Sequence, residues 1–372
     1  MDALELSREL LRLDTINPPG GERECAEHLS RLLEDAGFDV QSYEHDPGRT
    51  SLVARLGGSS SRLPLCFAGH IDTVPLGAAP WSHDPFAGEV ADGRLYGRGS
   101  SDMKCGLAAF VTAAHRLAER LRASPGLVLV IVAGEETGCD GSRHLATTNG
   151  ALGEAGAIVV AEPTGNYPLV GHKGALWLHA RATGVTAHGS MPDRGVNAIY
   201  KGARAVAKLE RFVFGGKPHS VLGSPTLNVG TINGGLNINS VPDSVTIGVD
   251  IRTIPDVKHG DLVQRLTEYL GEDVTLVPIV DVQGVWTDPG HAWMQEIFDV
   301  ARSVVGTRPA VRGAPYFTDA STLTRAYGGA PTAILGPGEM ELAHQTDEYC
   351  RIDRLEQAVE LYVEIARRWC GL

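Results

Sequence analysis

Two histidines and several acidic residues in this chain stand where an open α/β sheet would present metal ligands. Residues 65–68 form an apolar, strand-like run that stops at Gly69-His70-Ile71-Asp72. Residues 127–133 form a second run, which stops at Gly134-Glu135-Glu136, and 157–161 a third, which stops at Glu162. Residues 333–335 form a fourth, leading through Gly336-Pro337-Gly338 to His344. Asp102 sits in a Gly-rich turn just ahead of a predicted helix. Ligands in open α/β sheets bind beyond the carboxyl ends of the strands. Two His and three acidic residues meeting at one sheet edge would make a carboxylate-rich site for two divalent metals.

Each segment suggests a division of labour. In extended chain, residues i and i+2 share a side, so Asp72 is placed to accept the second imidazole N–H of His70 and fix its tautomer. Taken alone, the same triplet also describes a surface turn. The segment Gly97-Arg98-Gly99-Ser100-Ser101-Asp102 begins like a dinucleotide fingerprint. It has Asp102 in place of the third Gly and no strand running straight into it, so that reading is poor. A carboxylate there can bridge two cations or cap the following helix. Glu135 and Glu136 are neighbours at a strand end and point in different directions. One can bind metal while the other serves as general base. The chain has 13 His in all, and His28, His45, His83, His115, His144, His179, His219, His259 and His291 have no comparable setting.

These residues need a scaffold, and 372 residues suffice for two domains with a sizeable core. Apolar residues are 43% and charged residues 21%, an ordinary balance for a globular protein. The net charge of −12 argues against nucleic acid or an anionic membrane as partner. There is no apolar run of transmembrane length. The opening Met1-Asp2-Ala3-Leu4-Glu5 is not a secretory signal. Cys25, Cys66, Cys105, Cys139, Cys350 and Cys370 are scattered without a CxxC pair, as expected of reduced thiols in a cytoplasmic protein. Cys105 is close to Asp102 in sequence, and buried packing is its expected role.

The elements follow from periodicity. Residues 2–13 and 22–36 read as amphipathic helices, and 38–43, 51–56 and 64–69 as strands. Residues 105–121 read as a helix buried against a sheet. The Val- and Ile-rich runs 127–133 and 157–161 suit strands covered on both faces. From 176 onward the pattern changes. Strands at 176–183, 226–232, 244–252 and 274–280, with helices at 198–212 and 259–270, give β-α-β-β-α-β, a ferredoxin-like unit. A helix at 291–305, a strand at 332–335 and a helix at 354–369 return to the first pattern. In the last helix Leu355, Ala358, Val359, Tyr362, Val363 and Ala366 share a face after a candidate N-cap, Asp353. Residues 57–61 read as a loop. The expected fold is therefore α/β, a mixed sheet flanked by helices, with an inserted ferredoxin-like α+β domain. The expected boundaries are 1–175 with 284–372 for the larger domain and 176–283 for the insertion.

Taken together, the motifs resemble the di-zinc amidohydrolases that include acetylornithine deacetylase, succinyl-diaminopimelate desuccinylase, aminoacylase and carboxypeptidase G. The matching segments are Gly69-His70-Ile71-Asp72-Thr73-Val74-Pro75, Tyr96-Gly97-Arg98-Gly99-Ser100-Ser101-Asp102-Met103-Lys104, Gly134-Glu135-Glu136-Thr137-Gly138, Glu162-Pro163-Thr164, Ala187-His188-Gly189-Ser190-Met191-Pro192 and His344-Gln345-Thr346-Asp347-Glu348. The resemblance implies a zinc-exopeptidase-like catalytic domain with two Zn2+ per subunit, a site type that also suits Co2+ or Mn2+. It implies that Asp102 bridges the metals, that His70 and Glu162 complete one site, and that Glu136 and His344 complete the other. It makes Glu135 the general base and Asp72 the residue that orients His70. The insertion is similar to a lid and dimerisation domain, in which His188 reaches the partner subunit's site, Asn239 helps hold substrate, and Arg252 meets a substrate carboxylate. The implied activity is hydrolysis of the amide of a small N-acyl amino acid by a cytoplasmic homodimer. An exopeptidase of the carboxypeptidase G or dipeptidase type is the alternative. Where desuccinylases carry an Arg and a Ser before the lid, this chain has His172 and Ala175, which weakens the case for a succinyl group. A non-catalytic relative would be expected to have lost a ligand or the base, and a serine hydrolase would need a GxSxG elbow that is absent.

Overall fold

The computed structural model describes residues 1–58 and 61–372, so Ser59 and Ser60 of the predicted loop lie outside the described residues. Helices α1 (Ala3–Leu11) and α2 (Arg23–Asp35) are followed by strands β1 (Asp39–Asp46), β2 (Arg49–Leu56) and β3 (Leu65–His70). Next come α3 (Cys105–Leu121), β4 (Leu127–Val132), α4 (Asp140–Thr147) and β5 (Ala157–Val160). The inserted stretch supplies β6 (Gly174–Thr183), α5 (Ala198–Glu210), β7 (Thr226–Gly234), β8 (Ser244–Thr253), α6 (His259–Leu270) and β9 (Thr275–Val282). The chain closes with α7 (Ala292–Val305), α8 (Ala320–Ala326), β10 (Thr332–Ile334) and α9 (Ile352–Cys370). There are two compact units: Met1–Gly171 with Trp286–Arg312 and Thr318–Leu372, and His172–Val285 with Gly313–Phe317.

In the first unit six strands form one sheet in the order β1-β2-β4-β3-β5-β10. The four strands β4, β3, β5 and β10 run parallel, while β2 pairs antiparallel to β4 and β1 antiparallel to β2. Those four parallel strands are the apolar runs that precede candidate ligands, so their carboxyl ends share one edge. Side chains alternate between faces. Leu65, Phe67, Leu129, Ile131, Ala157 and Val159 join one core cluster with residues of α1, α2, α3, α7 and α9. Phe67 stacks on Phe110 of α3 at 6.0 Å and meets Tyr362 of α9 edge-on at 5.3 Å. The alternate residues Cys66, Val128, Val130 and Ile158 are equally buried, on the face that α4 and α8 cover. Both faces being covered explains why these strands lack polar alternation.

Some details depart from the sequence reading. The N-cap position of α9 is Arg351, and Asp353 lies inside the first turn, where it pairs with Arg351 at 2.6 Å and complements the helix dipole. Helices α4 and α8, of 8 and 7 residues, gave no periodic signal at that length. A small sheet of Glu89–Ala91, Arg94–Tyr96 and Tyr349–Arg351 also went unread. Its strands are three residues each, too short to show alternation.

The second unit is an antiparallel sheet in the order β7-β8-β6-β9, with α5 and α6 on one face. Leu176, Leu178 and Ala180 of β6 and Ile247, Val249 and Ile251 of β8 bury that face. All six Cys are free and buried. Among the described residues no helix is long and apolar enough to cross a membrane.

Candidate metal centre

His70 is the last residue of β3 and is buried. Its Nδ1 lies 2.9 Å from the main-chain oxygen of Asp72, and a carbonyl only accepts, so Nδ1 is the protonated nitrogen. That leaves Nε2 facing Asp102 at 3.1 Å and Glu162 at 3.9 Å. The Asp72 carboxylate is farther from Nδ1, at 3.5 Å. The main-chain oxygen of the same residue makes the shorter contact to the ring. The carboxylate also accepts from the main-chain N–H of Glu135 and Glu136, at 3.1 and 3.2 Å, and from Asn17 Nδ2 at 2.9 Å. Asp72 therefore joins the end of β3 to the turn after β4.

Glu162 stands two residues beyond β5. His344 sits on the long connection after β10, in a left-handed backbone conformation with φ of 64°, and its Nε2 lies 3.1 Å from Glu136 and 3.5 Å from Asp102. A methyl group on Gly338 would fall 2.1 Å from the carbonyl oxygen of Ser101, so only glycine lets this connection pass over the Asp102 turn. The result is two ligand groups, His70–Asp102–Glu162 and Asp102–Glu136–His344, with the donor atoms of each within 4.8 Å of one another. Asp102 is common to both.

The electrostatics fit cations. Burial alone would raise the Asp102 pKa, but hydrogen bonds from His344 and His70 hold it well below the usual carboxylate range. Glu162 is pushed well up by burial and then by the charge of Asp102, and Glu135 by burial and then by Glu162. His344 is raised to about 10 by its hydrogen bonds to Asp102 and Glu136. One carboxylate oxygen each of Glu135, Glu136 and Glu162 is buried without a hydrogen-bond partner. Crowded, buried carboxylates with unused oxygens lack countercharge, and two divalent cations would supply it. The oxygen-rich donor set with one imidazole per group suits zinc, cobalt or manganese.

Sequence reasoning missed several residues that shape this centre. Glu348 lies inside a quoted motif but carried no role. Its buried carboxylate accepts from Gly99, Ser101 and Asp102 main-chain N–H and from Arg98. Asn17, which donates to the Asp72 carboxylate, carried no role in the sequence reading either. Asp319 accepts from Ser142 Oγ at 2.6 Å, and burial raises its pKa to about 6. Residue type and local spacing signal none of these, because each acts on a distant stretch of chain.

The family model for peptidase family M20/M25/M40 matches residues 66–368. The chain belongs to this family. It is 29% identical to acetylornithine deacetylase of Vibrio atlanticus, over 99% of this chain and 98% of that one. It is 30% identical to the probable succinyl-diaminopimelate desuccinylase of Staphylococcus epidermidis, with the same coverage. The M20 metallo-carboxypeptidase Sso-CP2 of Sulfolobus solfataricus shares the fold, with a TM-score of 0.84 at 19% identity over 100% of both chains. The chain is thus an M20-family hydrolase, with two groups of candidate metal ligands at its sheet edge.

The other residues anticipated for substrate lie in the second unit. Ala187-His188 pairs with Ser240-Val241, and Gly189 N–H donates to the Asn239 carbonyl at 2.7 Å, which sets His188 and Asn239 side by side. His188 Nδ1 receives the main-chain N–H of Ser190 at 3.2 Å, with Ser190 Oγ at 2.7 Å. A main-chain N–H only donates, so the imidazole proton is on Nε2. Arg252 pairs with Asp250 at 3.0 Å and lies 5.9 Å from the ring centres of both Trp177 and Phe317.

Proposed function

We propose that this protein is a zinc-dependent deacylase that hydrolyses the amide bond of a small N-acyl amino acid. The observation that carries the reading is the pair of His/carboxylate groups sharing Asp102, with Glu135 adjoining in sequence and carrying an unpartnered buried oxygen. His70, Asp102 and Glu162 would hold one cation, and Asp102, Glu136 and His344 the other. Bound there, divalent cations acidify water and polarise a carbonyl. Glu135 takes the proton of the attacking water and returns it to the leaving amine. Asp72 keeps His70 and the Glu135 turn in register. His188, with its proton on Nε2, offers a donor to the carbonyl oxygen as charge develops there. Asn239 holds the substrate, and Arg252 its carboxylate.

His172 favours an acyl group without a second carboxylate. It is fully buried, and burial pulls its pKa down to about 4, so it is neutral and supplies no cation. The names of the relatives support an acyl amino acid as substrate. The protein is proposed to work in the cytoplasm as a homodimer through the second unit. There Ile232, Leu236 and Ile238 expose 50, 94 and 104% of their surface on edge strand β7 and the turn after it. An unpaired apolar edge of this kind is a template for another chain. Assaying zinc-loaded protein against N-acetyl amino acids, N-succinyl amino acids and dipeptides tests the substrate. Turnover of the acetyl series is expected to lead, and preference for dipeptides would replace deacylase with exopeptidase.

A further inference from the structure

The two cation positions of the proposed metal centre are not held by the same kind of structure. His70 and Glu162 stand at the carboxyl ends of β3 and β5, and the sheet itself fixes them. Their shared partner Asp102 and the second position's His344 both stand on irregular chain, far apart in sequence. Strands Arg94–Tyr96 and Tyr349–Arg351 pair beside those two stretches, and a buried ion pair ties the Asp102 turn to the chain after His344. Glu348 Oε2 receives Arg98 Nη1 at 2.6 Å and Gly99 N–H at 3.0 Å, and its Oε1 receives Ser101 N–H at 2.7 Å and Asp102 N–H at 3.0 Å. One carboxylate thus gathers three main-chain donors of the turn that bears Asp102. The same Arg98 Nη1 also donates to the Gln345 carbonyl at 3.3 Å, beside His344. Both side chains are 1% exposed.

We infer that Arg98 and Glu348 form a positioning clamp that sets the Asp102–Glu136–His344 position, and that the His70–Asp102–Glu162 position depends on it far less. The inference rests on the metal reading proposed above. His344 holds a left-handed backbone conformation that costs a non-glycine residue and persists only where its surroundings enforce it. A clamp that fixes the chain at Gln345 and Glu348, one and four residues downstream, is such a surrounding. Removing it loosens His344 and Asp102 together, hence two of the three ligands of one position. The other position loses only the exactness of Asp102. The pair is thereby a positioning device for one cation rather than for the whole centre.

The test is metal binding by the full-length apoprotein, with zinc titrated against a chelating chromophore and the retained ion located by anomalous diffraction. Wild type is expected to bind two ions. Glu348→Gln is expected to weaken one of them about 10- to 100-fold, the range typical of lost outer partners of ligands, and the ion retained should be the one at His70. Circular dichroism of the apoprotein checks the fold. Should the unpaired Arg98 prevent folding, Glu348→Gln with Arg98→Met removes both buried charges and the same titration applies. Equal weakening of both ions, or of neither, overturns the inference. Failure of wild type to bind two ions would instead overturn the metal reading beneath it. Amide exchange in unaltered apoprotein gives an independent readout: Gly99, Ser101 and Asp102 should be protected without metal, and rapid exchange there would also overturn the clamp.

Discussion

At the scale of single residues, the neighbours Glu135 and Glu136 differ in what surrounds them. Each keeps one unpartnered buried oxygen, but Glu136 also meets His344 at 3.1 Å. Glu135→Gln keeps the shape and removes the proton acceptor, so zinc content should hold while kcat falls about 10²- to 10⁴-fold. Unchanged kcat would take Glu135 out of the chemistry. His344 makes a second prediction, about pH. Its folded-state pKa of about 10 lies above the ordinary value of about 6.5. Its pairing with Asp102 and Glu136 therefore stabilises the metal-free protein fully below pH ~6.5, and that contribution is lost as pH rises through about 10. Metal binding must expel this proton, so zinc affinity should climb with pH across the same window. Calorimetry in buffers of different ionisation enthalpy should show proton uptake by buffer, and His344→Asn should reduce it. Among the candidate ligands, His70, Glu136 and Glu162 stood out in the sequence because each closes an apolar strand run. Asn17, Arg98 and Glu348 did not, because their partners lie 55 and up to 250 residues away and nothing local marks the pairing.

At the scale of elements, the centre depends on strand ends and on how closely helices approach them. The long apolar strands and α3 were readable because burial on both faces leaves a continuous signal, and β3 to β5 fall within a residue or two of the expected spans. The turns that carry Asp102 and His344 follow tertiary contacts instead, so their shape was not. Helix α3 shows the dependence. It starts just after the Asp102 turn, and a methyl group on Gly106 would sit 2.1 Å from the carbonyl oxygen of Ala161, next to Glu162. Gly106→Ala must push α3 away from the end of β5. The expected cost is about 1–3 kcal/mol, the usual range for overpacking, seen as a lower urea midpoint. Zinc affinity should fall as well, since Asp102 and Glu162 move apart. A variant with wild-type midpoint and affinity would show that this contact positions nothing.

At the scale of the whole molecule, the proposed homodimer would complete each site with residues of both subunits. The second unit pairs its short strands so that His188 and Asn239 adjoin, and Ser190 fixes the His188 proton on Nε2. That is the form a donor to a developing oxyanion needs. The proposed assembly gives each site Glu135 from one subunit and His188 from the other. His188→Ala and Glu135→Gln homodimers should then both be nearly inactive. Unfolding and refolding them together would produce half heterodimers, each with one complete site, and so about one-quarter of wild-type activity. If His188 served its own subunit, every site in the heterodimer would lack one group and mixing would restore nothing. A further control separates assembly from chemistry. Charged replacements of Leu236 and Ile238 in the exposed turn after β7 should lower the mass measured by sedimentation. They should lower activity in proportion only if His188 acts across the interface, because a subunit that used its own His188 would work as a monomer.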